Sequence, residues 1–190
     1  MHRVECEPAG RGILRRRPPP PKDPRPDPSE YAPDYGRYVD LVPDGPLLDI
    51  LQVQPDALAR QLRTADPDMA YAPGKWTVRE AFRHVVDTER VFAFRALWFA
   101  RAAAAPLPGF DENAWVTADP ATPSLDALVA EFRAVRAATV ALADGLAPEV
   151  WGRAGTASGH RMSVRGALYV VAGHTAHHAA ILRERYGLNG

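Results

Sequence analysis

The sequence predicts an all-α fold, a four-helix bundle that follows a disordered tail rich in proline and arginine. Three observations carry this. Four stretches repeat apolar side chains every three or four positions, the period of a helix that buries one face. Three of them open on a hydroxyl residue suited to cap a helix, at Thr77, Ser124 and Ser163. No alternating apolar and polar run competes as a strand.

Residues 1–30 read as the tail. The stretch "GRGILRRRPPPPKDPRPDPSE" is dense in proline and arginine and nearly empty of hydrophobic residues. Such a segment buries too little surface to offset the entropy of ordering it. The arginines Arg15, Arg16 and Arg17 are followed by four prolines rather than an apolar run, which excludes a secretory signal. Residues 31–190 form the folded domain, opening on "YAPDYGRYVDLVPDGP" as an ordered lead-in.

The first helix runs from about Leu47 to Arg63 and contains Pro55, which predicts a kink or two shorter helices. The second starts at Thr77, with Glu80 at the capping-box spacing, and continues to about Ala103 through Val78, Phe82, Val85, Phe92 and Leu97. A proline-rich loop separates it from the third, which Ser124 opens and which ends near Ala143. An irregular segment, "DGLAPEVWGRAGTASGHR", leads to the fourth, from Ser163 to about Tyr186, where Gly187 stops it. Four amphipathic helices on about 150 residues pack as a bundle.

Charge and cysteine content narrow the function. The 190 residues carry 23 basic and 23 acidic side chains, so nothing electrostatic recommends nucleic acid or an anionic membrane as the main partner. A single cysteine, Cys6, excludes an intramolecular disulfide framework and a cysteine-rich zinc site. No apolar stretch reaches the length of a membrane span. A cytoplasmic protein is the expectation.

The stretch "YVVAGHTAHHAAIL" sets three of the chain's six histidines in an apolar run. On a helix, His174 and His178 fall on the inward stripe with Val171, Thr175, Ile181 and Leu182, one turn apart, while His177 lies on its flank. Two imidazoles at this spacing suit one divalent ion. The third ligand is His84, in "REAFRHVVDTER" on the second helix, since facing helices of a bundle build metal sites in this way. The alternative is that all three are hydrogen-bonded core residues, and spacing alone leaves both readings open.

Four segments together resemble the DinB/YfiT-like superfamily: "YAPGKWTVREAFRHVVDTERVFAFRALWFAR", "PLPGFDENAW", "FRAVRAATVALADGL" and "AGHTAHHAAILRERY". The likeness spans residues 31–187 in order. It implies a four-helix bundle, often dimeric, that holds a divalent metal through His84, His174 and His178. It also implies transfer of a low-molecular-weight thiol to small electrophiles in stress or detoxification. Other members of that family are regarded as metal-dependent hydrolases. The proline-rich N-terminus and Pro55 depart from the family pattern.

Three neutral nitrogen ligands leave the ion its full charge, available to a thiol or to water. Zinc or nickel is expected first and iron next, because imidazole suits all of them. No protein nucleophile is evident. Asp87, Asp111 and His177 are the candidates for orienting or proton-transfer roles beside the metal, with Glu80, Glu89 and Glu112 as further acids. For Asp111 and Glu112 the competing reading is a helix cap or a solvated charge. Trp76, Trp98, Trp115 and Trp151 either line an apolar pocket or belong to the core. Three functions follow: a thiol transferase, a hydrolase that activates water, and a non-catalytic stress protein.

Overall fold

The computed structural model describes residues 25–118 and 120–189. Six α-helices and one β-hairpin follow in order: α1 (Gly36–Val39), α2 (Leu47–Leu62), α3 (Val78–Ala100), α4 (Glu112–Ala118), α5 (Leu125–Asp144), β1 (Ala154–Ala157), β2 (His160–Ser163) and α6 (Val164–Glu184). The four long helices close a ring in which α3 packs on α6, α6 on α2, α2 on α5 and α5 on α3, with α1 laid against α6. The all-α bundle expected from the sequence is the fold.

The caps act as their residue types dictate. Thr77 and Glu80 exchange hydrogen bonds in a capping box: the Glu80 amide donates to Thr77 Oγ1 at 3.2 Å and the Thr77 amide to Glu80 Oε2 at 2.7 Å. Ser124 accepts from the Ala127 amide and Ser163 from the Gly166 amide. Gly187, at φ 70°, ends the last helix in the left-handed region.

Two readings of the sequence need correction. The segment read as irregular before the last helix contains the β1–β2 hairpin, paired from Ala154↔Ser163 to Ala157↔His160. Its turn residues Ser158 and Gly159 both have positive φ, which matches a two-residue loop to the strand twist. Strands of four residues are too short for alternation to announce them. The tail read as residues 1–30 also extends too far. Residues 1–24 lie outside the described residues, but Arg25 donates to the carbonyls of Val39 and Val42, and Arg161 donates to that of Ser29. Glu30 is buried against Arg165 at 2.7 Å. Composition missed this because the anchors are charges and backbone carbonyls rather than apolar surface.

Pro55 does not divide the first helix, which runs unbroken from Leu47 to Leu62. A proline supplies no N–H to the carbonyl four residues back, here that of Leu51. That carbonyl accepts instead from Arg136 Nη1 of α5 at 2.7 Å. Arg136 is 2% exposed, and all five of its N–H donors are used. Nε and Nη2 each meet a Glu89 oxygen at 2.8 Å, while Nη2 also reaches Thr175 and Nη1 reaches Gln54. This one guanidinium ties together α2, α3, α5 and α6.

The node divides the apolar interior. One cluster gathers Leu47, Leu51, Phe92, Phe99, Met162 and Leu168. The other gathers Leu58, Phe82, Val85, Phe132 and Leu182. Along α2, α5 and α6 the chain passes from one cluster to the other through polar positions, at Gln54, at Arg136 and Thr139, and from His174 to His178. The histidines therefore lie in a polar layer that the helices share.

Candidate metal centre

His84 enters this layer from α3, and His174 and His178 enter from α6, one helical turn apart. Their relative exposures are 9%, 4% and 7%. The three rings converge, with centroids 4.9 Å apart for His84 and His174, 5.0 Å for His84 and His178, and 4.5 Å for His174 and His178. His84 Nε2 lies 3.0 Å from His174 Nε2. Each residue offers one nitrogen within 4.8 Å of the others, and all three can hold a single ion.

The donor chemistry fits a divalent cation. Metal binding needs neutral imidazoles. Burial pushes His84 down from 6.5 to about 4 and His178 to about 3, and it drives His174 well below its ordinary range. All three are neutral at pH 7. Tetrahedral bonds of about 2.0–2.1 Å place neighbouring nitrogens about 3.3 Å apart, close to the observed 3.0 Å approach. His178 Nδ1 is buried without a hydrogen-bond partner. Most buried side-chain polar atoms have a partner, and a bound ion is one that would satisfy this ring.

These shifts make stability depend on pH. Between 6.5 and the depressed values, the unfolded chain binds protons that the folded chain refuses. Stability therefore rises with pH in that window and is lost as pH falls through it. Protein kept free of metal should melt at progressively lower temperature from pH 6.5 to about 4. The His178→Leu variant should show a shallower fall, whereas equal slopes would show that the fold does not hold His178 neutral.

The remaining candidates are placed differently. Thr88 approaches His84, with Oγ1 3.4 Å from Nδ1, the contact expected one turn along α3. Asp87, the neighbouring candidate, is half-buried and lies 3.6 Å from Arg90. Asp111 is the N-terminal cap of α4, accepting from the amides of Asn113 and Ala114. Glu80 is committed to its capping box and Glu89 to Arg136. His177 is half-buried on the flank, its ring 5.3 Å from that of His178. Glu112, on the first turn of α4, is exposed, and its negative charge raises His84 against the effect of burial. Trp76 lies 4.9 Å from the His84 ring, whereas Trp151 is core and Trp115 packs on Phe110 near the surface.

Sequence reasoning passed over Tyr38. Its ring meets those of His174 and His177 edge-on, each at 5.3 Å. The cause is Gly173: a Cβ there would stand 1.9 Å from the Tyr38 carbonyl oxygen, so only glycine lets α1 come this close to α6. A glycine beside two histidines in a helix interior was the available signal. Arg37 folds over the Tyr38 ring at 4.7 Å and donates to its hydroxyl at 2.9 Å.

Three buried imidazoles meeting between two helices of a four-helix bundle define a histidine-based metal-binding bundle protein. The chain belongs to the DinB superfamily, whose family model matches residues 48–182. Among solved structures it is similar to YfiT from Bacillus subtilis, described as a probable metal-dependent hydrolase with an unusual four-helix bundle topology. That likeness has a TM-score of 0.65 at 20% identity and covers 88% of this chain and 95% of the other, and it establishes the fold. No curated protein matches the sequence significantly. Among the described residues, no helix is long and apolar enough to cross a membrane.

Proposed function

We propose that His84, His174 and His178 hold one divalent ion and that the protein transfers a low-molecular-weight thiol to a small electrophile. The observation that carries this reading is the buried, neutral trio with no carboxylate among its three ligands. An ion held in this way keeps its full charge and favours deprotonation of a thiol or a water near neutral pH. No cysteine occurs among the described residues, so the sulfur nucleophile arrives as a cosubstrate. Trp76 supplies an apolar wall beside His84, and Thr88 orients the His84 ring. A reducing cytoplasm, where free thiols persist, suits this chemistry.

Hydrolysis is the second reading: the exposed Glu112, on the first turn of α4, bears a negative charge that acts on His84 against the effect of burial. A carboxylate whose charge reaches His84 can take a proton from an attacking water. The two readings part on thiol dependence. A free thiol titrates near about 8.5 and is mostly un-ionised at neutral pH. Turnover of chlorodinitrobenzene with mercaptoethanol should persist well below that pKa in the metal-loaded protein and be lost on chelation. Turnover of nitrophenyl acetate without thiol, slowed when thiol is added, would overturn transfer and establish hydrolysis.

A further inference from the structure

We infer that Arg37 and Tyr38 form an anion-binding rim for the thiol that enters the centre, so that this cosubstrate carries a carboxylate or a similar negative group. This rests on the proposed metal centre and names the substrate class it takes.

The placement of the guanidinium is the first argument. Arg37 is exposed, yet it folds back over the Tyr38 ring at 4.7 Å and bonds the hydroxyl at 2.9 Å. An exposed arginine otherwise gains rotamer freedom by extending into water. Tyr38 in turn stands edge-on to His174 and His177, so one aromatic ring separates the cation from the trio. That ring is fixed from behind, because the Tyr38 backbone is seated against Gly173.

Charge is the second argument. Among the described residues, the one polar partner of Arg37 is the Tyr38 hydroxyl, and no carboxylate stands within ion-pair distance of it. Its positive charge lies over a ring that itself meets His174 and His177 edge-on. A cation at this place raises the free energy of a metal ion bound beside it, so it does not serve metal binding. It does suit an incoming anion. The guanidinium fork can donate two parallel hydrogen bonds to a carboxylate, and it retains donors for this after its bond to Tyr38.

The test uses the full chain loaded with cobalt(II), titrated with mercaptopropionate and with its uncharged isostere mercaptopropionamide. Binding is followed by the visible absorption of the metal. The protein should bind the carboxylate about tenfold more tightly than the amide, as one charge-assisted pair provides. R37Q should load cobalt to the same stoichiometry and bind both thiols alike, and R37K should recover part of the preference. Equal affinities in the unaltered protein, or a preference that survives in R37Q, would overturn the anion rim while leaving thiol binding intact. Loading with no spectral response to either thiol would overturn the thiol reading and the rim with it.

Discussion

Glu89→Ala is expected to destabilise the protein by about 3–5 kcal/mol, a large share of the roughly 5–15 kcal/mol that holds a domain folded. Glu89 and Arg136 are each 2% exposed and face one another through two bonds of 2.8 Å. Removing the carboxylate leaves a guanidinium buried in the middle of the bundle with no counter-charge. The cost is the uncompensated charge rather than the lost attraction. Substituting both partners with apolar residues, as in E89L/R136M, should therefore cost less than the single change, although the Leu51 carbonyl would lose its donor. Urea midpoints at unchanged slope measure both effects. A loss below about 1 kcal/mol for Glu89→Ala would mean that water reaches the node.

The second large effect is the loss of metal on changing the trio. His174→Ala should weaken divalent-ion binding by more than the roughly 10–100-fold that follows loss of an outer partner. His178→Leu is the more discriminating variant, because its two consequences have opposite sign. It should abolish stoichiometric metal binding, yet leave the metal-free protein as stable as before or more so. It removes the orphaned Nδ1 and fills the space with an apolar side chain of similar reach. A site that sacrifices stability for a ligand behaves in this way, whereas a core histidine does not. Metal analysis and melting of the same preparation check both. A destabilised variant that still binds a full equivalent would identify His178 as a packing residue.

Much of this protein is legible before folding because its signals are local. Thr77 with Glu80, Ser124 and Ser163 mark helix starts through bonds within one turn. His174 and His178 share a face by helical arithmetic, and His84 lies on the inward side of its own helix. What stayed illegible depends on partners distant in the chain. Arg136, in "FRAVRAATV", reads as a solvated arginine, and only the fold brings Glu89 and Gln54 to it. Tyr38 belongs to a lead-in with no evident role until Gly173 is seen to admit it. Arg25 and Glu30 sit in a composition typical of disorder, yet specific polar contacts hold them. Residue type announces apolar burial, but it does not announce a polar contact across the chain.

The proline inside α2 bears on how the molecule comes apart. A helix normally closes its own hydrogen bonds and can form, however briefly, by itself. α2 cannot do so in a dry interior, because the carbonyl of Leu51 has no donor within its own helix. It is completed by a side chain 85 positions later, on α5. The last bond of one helix is thus made only when another docks, which joins local order to assembly. In native-state hydrogen exchange, the amides in the middle of α2 and the middle of α5 should therefore open together, with one shared opening free energy.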